Sequence, residues 1–367
     1  MRHKLLFVGD IVLESEPEFS TVLRELFAEQ AICCGNIEAP LRGKGQPIEK
    51  TGPVLNQRAD AAHLLRRCGF NLFTMANNHI CDYGDEGLFE TIKAVGEGNT
   101  IGVGEKEKGY AMVIRTLDGI RYGFLAYGEN GYGALNGERT AGYAWINAPR
   151  VPSDIASYRE QVDMLIVQVH AGVEMIDAPI PEWRTRYQEL IDCGADVVIG
   201  HHPHVVQGME HYRGKPIFYS LGNFYFDGIA DTEDWNTGGV LQLEVENGQL
   251  DSFHFYTVKK NGKLLDVMPA QATEELLEKR NTLLNDTAAY LEYMDVTAVE
   301  QWHKYHANYY AKAFNGLSNY GLRSLLKHIK RLLFNRKTDY NMLWHNLRIE
   351  SNLWIVQRAI QRLHQKK

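Results

Sequence analysis

The sequence predicts an α/β fold with mixed sheets, followed by an α-helical extension. Three observations predict it. Short apolar runs end again and again in polar, ligand-type residues, as buried strands do when they deliver a site at their carboxyl ends. Amphipathic helical stretches lie between several of these runs, and such alternation argues for an α/β architecture. Beyond about residue 270 only helical patterns remain. The expected division is therefore residues 1–269 and a basic helical extension over 270–367.

The elements follow in chain order. Leu5–Val8 reads as a first strand leading to Gly9-Asp10, and Phe19–Ala28 as an amphipathic helix. Ala31–Cys34 leads to Gly35-Asn36-Ile37-Glu38. The helix Ala59–Cys68 stops at Gly69, a C-cap signal. Phe70–Met75 leads to Asn77-Asn78-His79, and the helix Glu86–Val95 ends at Gly96. Tyr110–Thr116 and Tyr122–Ala126 flank Asp118-Gly119, a hairpin signal. Gly128–Gly142 is rich in glycine and polar residues, which predicts a long loop near the site. Met164–Val169 leads to His170, and the helix Pro181–Cys193 stops at Gly194. Asp196–Ile199 leads to Gly200-His201-His202-Pro203-His204, and Ile217–Leu221 to Gly222-Asn223. Gly239–Val245 and Leu250–Tyr256 flank Asn247-Gly248, a second hairpin. The hairpins are what make the sheets mixed.

Composition narrows the class. The chain has 367 residues, 44% hydrophobic and 23% charged, which is ordinary for a globular protein. A net charge of -7 argues against nucleic acid as a partner of the whole chain. The charge is uneven: from Gln271 onward 15 Lys+Arg stand against 9 Asp+Glu, a balance of +6, which leaves -13 for the rest. Five cysteines without a CxxC spacing read as buried or incidental thiols in a reducing compartment. The N-terminal run Leu5–Val8 is too short for a signal peptide, and no stretch approaches the roughly 18 apolar residues of a membrane span. The expectation is a cytoplasmic protein, with peripheral attachment at the inner membrane face open to the basic extension.

The histidine cluster is the strongest chemical signal. Neutral imidazole is the commonest metal ligand, and His-x-His at a strand end sets two rings on one side. One packed core does not satisfy so many ring nitrogens within a single turn. Taken together, Asp10, Glu38, Asn78, His79, His170, His202 and His204 offer carboxylate, amide oxygen and imidazole, with no thiolate. That donor set suits Mn, Zn or Fe. It exceeds what one tetrahedral ion needs and fits two ions sharing a carboxylate, the arrangement that drives in-line displacement at phosphorus. A nearby unbound histidine would protonate the leaving group. Each residue has a plainer reading: Asp10 as a turn residue, Glu38 as a surface carboxylate, Asn77 and Asn78 as turn satisfiers, His170 as a core histidine, Glu174 as a solvated charge. Their common placement at strand ends favours the site.

These residues carry a resemblance. Val8-Gly9-Asp10, Gly35-Asn36-Ile37-Glu38, Ala76 to Gly84 and His170-Ala171-Gly172-Val173-Glu174 match in pattern. So do Gly194 to Gln207, the longest continuous stretch, and Tyr219 to Phe224. Over roughly residues 1–260 the chain resembles the CapA/PgsA family of poly-γ-glutamate and capsule synthesis proteins, which is similar in fold to calcineurin-like metallophosphoesterases. The resemblance implies a four-layer αββα sandwich with a dinuclear centre. It implies Asp10 as the first-strand ligand, Glu38 in the place of the bridging carboxylate and Asn78 as the amide ligand. His170, His202 and His204 are implied as further ligands, and His79 as the acid or charge stabiliser. With Asp10, His79 is the catalytic assignment; Asn36, Asn77, His201, Glu174 and Asn223 are assigned to supporting or substrate contacts. Substrates would be phosphorylated, glutamyl or polysaccharide-related. Two departures stand out. Val12 occupies the place where ordinary phosphoesterases have a histidine, which implies that one ion is weakly bound, and Ala171 replaces the family's usual Trp. The N-terminal anchor of surface-exposed members is also not seen. A non-catalytic role in assembling an envelope polymer is the competing expectation.

In the extension, Leu322, Leu325, Leu326, Ile329, Leu332 and Leu333 recur at helical spacing among Arg323, Lys327, Lys330, Arg331, Arg336 and Lys337. Such a helix reads either as membrane-surface or partner binding, or as packed on the main domain with a solvated basic face. Trp302–Phe314 reads as helical core, and a further helix is expected from Asp339.

Overall fold

A computed structural model describes residues 1–313, 316–317, 321–334 and 340–365. Phe314, Arg336, Lys337 and Asp339 lie outside the described residues. The chain forms two compact units: residues 1–48 with 54–285, and residues 49–53 with 286–367. The helix Ala270–Asn285 groups with the first unit.

Two sheets build the first unit. The larger is ordered Glu18–Phe19, Leu264–Val267, Gln249–Asn261, Thr237–Glu246, Arg2–Val12, Ile32–Ile37, Leu72–Thr74, Thr100–Ile101, with Asn223–Phe226 also paired to Arg2–Val12. The second is ordered Met209–Tyr212, Lys215–Phe218, Val197–His201, Met164–His170, Ile120–Gly128, Val113–Leu117. Both mix parallel centres with antiparallel hairpins at the predicted Asp118-Gly119 and Asn247-Gly248 turns. Central strands such as Met164–His170 are buried throughout, so they read as unbroken apolar runs rather than alternating ones.

The sheets face each other through one apolar core. Phe7 meets Phe124, Phe218 meets Phe253, and Cys34 Sγ lies against the Gln168 amide. Helices cover the outer faces. Thr21–Ala28 packs through Phe27 on Phe70 and Phe224, and Pro181–Asp192 stacks Tyr187 on Tyr219. The result is an αββα sandwich. Burying Phe27 alone removes enough apolar surface to contribute about 2 kcal/mol, so the outer helices are held by their inward stripe rather than by propensity.

Several boundaries differ from the sequence expectation. Phe19 lies in a two-residue strand, because Ser20 caps the helix by accepting from Leu23 N at 3.3 Å. Tyr110 ends a short helix, Lys106–Gly109, instead of opening a strand. The strand expected over Ile217–Leu221 stops at Phe218, since the next residues leave the sheet to cross toward its partner. The helix Val151–Arg159 was hidden by its weak apolar stripe.

In the second unit, Thr287–Gln301 runs into a π-helical turn, Trp302–His306, and then Ala307–Ala313. His306 Nδ1 meets Asn346 Oδ1 at 2.8 Å inside this unit. The expected single helix from Asp339 is two, Tyr340–Arg348 and Glu350–Gln365. Arg358 pairs with Asp295 at 3.0 Å to tie the last helix to Thr287–Gln301.

Candidate metal centre

Register brings the site together. In the larger sheet Thr74, Asn36, Asp10 and Asn223 are successive cross-strand partners. In the second sheet Gly128, His170 and His201 form the matching row. Apart from Asn223, which opens its strand, the two rows sit at the carboxyl ends of the central parallel strands, and the sandwich sets them face to face.

Asp10 is fully buried at the centre. Its Oδ1 accepts from Asn36 Nδ2 at 2.6 Å and its Oδ2 from His202 N at 3.1 Å. His204 Nδ1 lies 3.3 Å from Oδ2 and His201 Nδ1 3.5 Å from Oδ1. His202 and His204 both hold positive φ, 94° and 57°. Non-glycine residues adopt this region at a cost, and it clusters at functional sites. The turn turns both rings inward: His202 Nδ1 meets His170 Nε2 at 3.0 Å, and His204 Nδ1 meets Asn223 Oδ1 at 2.9 Å. His170 Nε2 also meets Asn78 Oδ1 at 2.9 Å. Asn77 holds the scaffold, donating to Asn36 Oδ1 and Ile37 O while its own oxygen caps His79 N and Ile80 N.

Glu38 decides the character of the site. It is fully buried, yet among the described residues neither carboxylate oxygen has a hydrogen-bond partner. The His170 and His204 rings face its Oε1 at 3.6 and 3.7 Å, but a buried carboxylate without hydrogen bonds is costly, of order 2–7 kcal/mol even for a neutral polar group. Such a group needs either a proton or a cation. Ligand atoms of Glu38, His170 and His202 lie within 4.8 Å of one another, and so do those of Asp10, Glu38 and His204. Glu38 is common to both clusters, as a carboxylate shared by two ions would be. A third cluster, Glu174, His202 and His204, opens to solvent through exposed Glu174. The oxygen and nitrogen donors fit Mn, Zn or Fe.

The electrostatics agree. Against its burial, hydrogen bonds from His201 and His204 hold Asp10 well below the usual carboxylate range. Burial, with the Asp10 charge beside it, pushes Glu38 well above that range. Burial lowers His170 and takes His202 down to about 4, so both rings are neutral and ready as ligands. Against its burial, the Glu38 and Asp10 carboxylates raise His204 to about 10. Near neutral pH, Glu38 and His204 therefore hold at least one proton between them, which an incoming cation must displace. Metal uptake is expected to release at least one proton per chain near pH 7, and affinity to rise with pH up to the His204 value. Calorimetry in buffers of differing ionisation enthalpy checks this; uptake with no proton exchange would contradict it.

Two neighbours escaped the sequence reading. Asp82, fully buried, meets His79 Nδ1 at 2.7 Å and fixes that ring. Its signal was the His79-x-x-Asp82 spacing. Glu129 Oε1 lies 3.3 Å from His202 Nε2. It follows the strand Ile120–Gly128 just as the other site residues follow theirs, so the strand-end rule would have found it. Val12 is packed with Ala39, Phe226 and Trp235, and the His204 ring lies tilted against Trp235 with centroids 4.8 Å apart. An apolar wall thus stands where the resemblance expects a histidine.

Residues 4–228 match the family model described as bacterial capsule synthesis protein PGA_cap. The chain belongs to this family. The PGA_cap match takes in every donor of the centre, from Asp10 to Asn223. The chain is 30% identical over 230 residues to the capsule biosynthesis protein CapA of Bacillus anthracis, covering 60% of this chain and 52% of that protein. It is 28% identical over 249 residues to the PGA biosynthesis protein CapA of Bacillus subtilis, covering 62% and 64%. The chain therefore spans about half of the first relative's length and under two thirds of the second's. Among solved structures, a 5'-nucleotidase from Candida albicans matches with TM-score 0.40 and 13% identity, over 70% of this chain and 52% of that one. A purple acid phosphatase from yellow lupin seeds matches with TM-score 0.37 and 10% identity, over 74% and 55%.

Proposed function

We propose that this PGA_cap member is a metal-dependent hydrolase of the phosphoesterase type, acting in capsule or poly-γ-glutamate synthesis. The observation that carries the reading is Glu38, a buried carboxylate without a hydrogen bond, faced by the His170 and His204 rings at 3.6 and 3.7 Å and shared by two clusters of ligand atoms. Asp10, Glu38, Asn78, His170, His202 and His204 would hold two divalent ions. When bound, the ions supply Lewis acidity and a nucleophile at neutral pH. The chain's own residues do the rest. Asp10 stays anionic, anchored by Asn36 and by the His202 backbone. His79, oriented by Asp82, presents its remaining ring nitrogen as the proton donor to a leaving group. Asn36, Asn77, His201 and Asn223 hold the ligands in place, and Glu174 stands at the exposed rim.

One observation favours a second reading. The apolar cluster around Val12 removes a ligand position beside Asp10, so one ion would be held weakly and the protein would serve assembly rather than turnover. A panel of phosphodiesters and γ-glutamyl amides, tested with Mn, Zn and Fe, separates the two. Turnover that falls at least about a hundredfold in His202→Ala and His204→Ala supports the hydrolase, in keeping with loss of ligands to a catalytic ion. A metal-loaded protein that turns over none of the panel, or variants with unchanged turnover, refutes it. Hydrolysis of the glutamyl amides alone would place the chemistry at carbon instead of phosphorus.

A further inference from the structure

The helix Leu322–Leu333 is the least satisfied element among the described residues. At about 100° per residue, Leu322, Leu325, Leu326, Ile329 and Leu333 fall within an arc of about 100°, a full apolar stripe. In a globular helix that stripe is covered. Here all five are exposed, Leu322 at 72% and Leu333 at 75%, and Phe334 continues the stripe at 69%. Arg323, Lys327 and Lys330, also exposed, line one flank.

Charge narrows what covers it. From Gln301 to Thr338 the sequence contains eight Lys or Arg and no Asp or Glu, in a chain whose net charge is -7. A stripe meant for a protein core does not need a cation border cleared of acids. An apolar face that sinks among acyl chains beneath anionic headgroups needs both. The neighbouring helix Tyr340–Arg348 adds exposed Tyr340 and Trp344, of the residue types enriched at membrane interfaces, and exposed Leu347. No helix among the described residues is long and apolar enough to cross a membrane. Contact of this kind would lie along the surface.

From these features we infer that Leu322–Leu333 is an interfacial anchor that docks the chain on an anionic phospholipid bilayer. The apolar arc supplies burial, and Arg323, Lys327 and Lys330 supply attraction to the headgroups. The attraction is screened by salt.

Flotation of the full-length protein with vesicles tests it. Phosphatidylcholine vesicles containing phosphatidylglycerol are expected to bind at least about tenfold more protein than phosphatidylcholine alone, and salt to weaken the binding. Leu326→Glu/Ile329→Glu abolishes it. Lys327→Glu/Lys330→Glu weakens it by about tenfold or more. All four positions are exposed, so far-UV circular dichroism and metal content are expected to match the wild type. The inference is overturned by equal or absent binding to the two vesicle types, or by full binding in Leu326→Glu/Ile329→Glu. A wild-type dimer in light scattering that Leu326→Glu/Ile329→Glu dissociates would also overturn it, giving the face to a second copy. So would retention of the protein on nucleic acid but not on vesicles. Should the leucine variants misfold, the charge-reversed pair alone decides: unchanged binding to anionic vesicles refutes the inference.

Discussion

Glu38→Gln is expected to strip the proposed dinuclear centre of its ions while leaving the metal-free fold intact. Two of the three clusters that fit a cation share this one carboxylate. An amide keeps the volume but removes the charge and one of the two acceptor oxygens. Elemental analysis should fall from about two ions per chain to background. Thermal unfolding gives an independent reading. Wild-type protein should gain about 2.7 kcal/mol from a cation at a hundredfold excess over its Kd, and the variant nothing. Without metal, Glu38→Gln should melt at or above the wild type, because a buried carboxylate with no hydrogen-bond partner is replaced by a neutral group. Retention of wild-type metal content in the variant would remove Glu38 from the bridging role.

Gly200→Ala is expected to damage fold and centre together. A Cβ at Gly200 would stand 1.9 Å from the Tyr219 carbonyl oxygen, and one at Gly9 would stand 1.9 Å from the Gly222 carbonyl oxygen. The segment Tyr219–Gly222 thus passes close to a glycine of each sheet. It is bonded to both: Leu221 N donates to Gly200 O at 3.0 Å, and Asp10 N to Gly222 O at 2.9 Å. Backbone cannot yield as a flexible side chain does. Overpacking of this kind costs about 3 kcal/mol or more, which lowers the melting midpoint by roughly 6–12 °C in a domain of this size. The same shift displaces His202 and His204 from Asp10, so metal content should fall as well. Gly9→Ala should reproduce the result from the opposite sheet. A Gly200→Ala protein with the wild-type midpoint and metal content would show that the crossing segment is not what clamps the sheets.

Much of this was legible in the chain. Strand ends were readable because a fully buried strand must be apolar and the donors that follow it must be polar. The transition at Ile199-Gly200-His201 is therefore sharp in the sequence itself. Hairpins were readable from Asp118-Gly119 and Asn247-Gly248, whose positive φ only a few residue types accept. Asp82 and Glu129 were less legible. Their local signals, a His79-x-x-Asp82 spacing and a place just after the strand Ile120–Gly128, are weak, and packing against His79 and His202 is what assigns them a role. The helix Val151–Arg159 was missed because its inward face is narrow, resting on Val151 and Ile155.

By itself the sequence determined the kinds of donor available, their order along the chain and the strand ends that carry them. Those depend on side-chain chemistry and on a period of two or 3.6, both local. Only the tertiary structure decided which donors meet. Sheet register placed Asp10 beside Asn36 and Asn223, and set His170 beside His201. The face-to-face packing of two sheets then closed the space around Glu38. Whether that carboxylate is solvated or buried depends on contacts more than a hundred residues away in the chain, with His170 and His204.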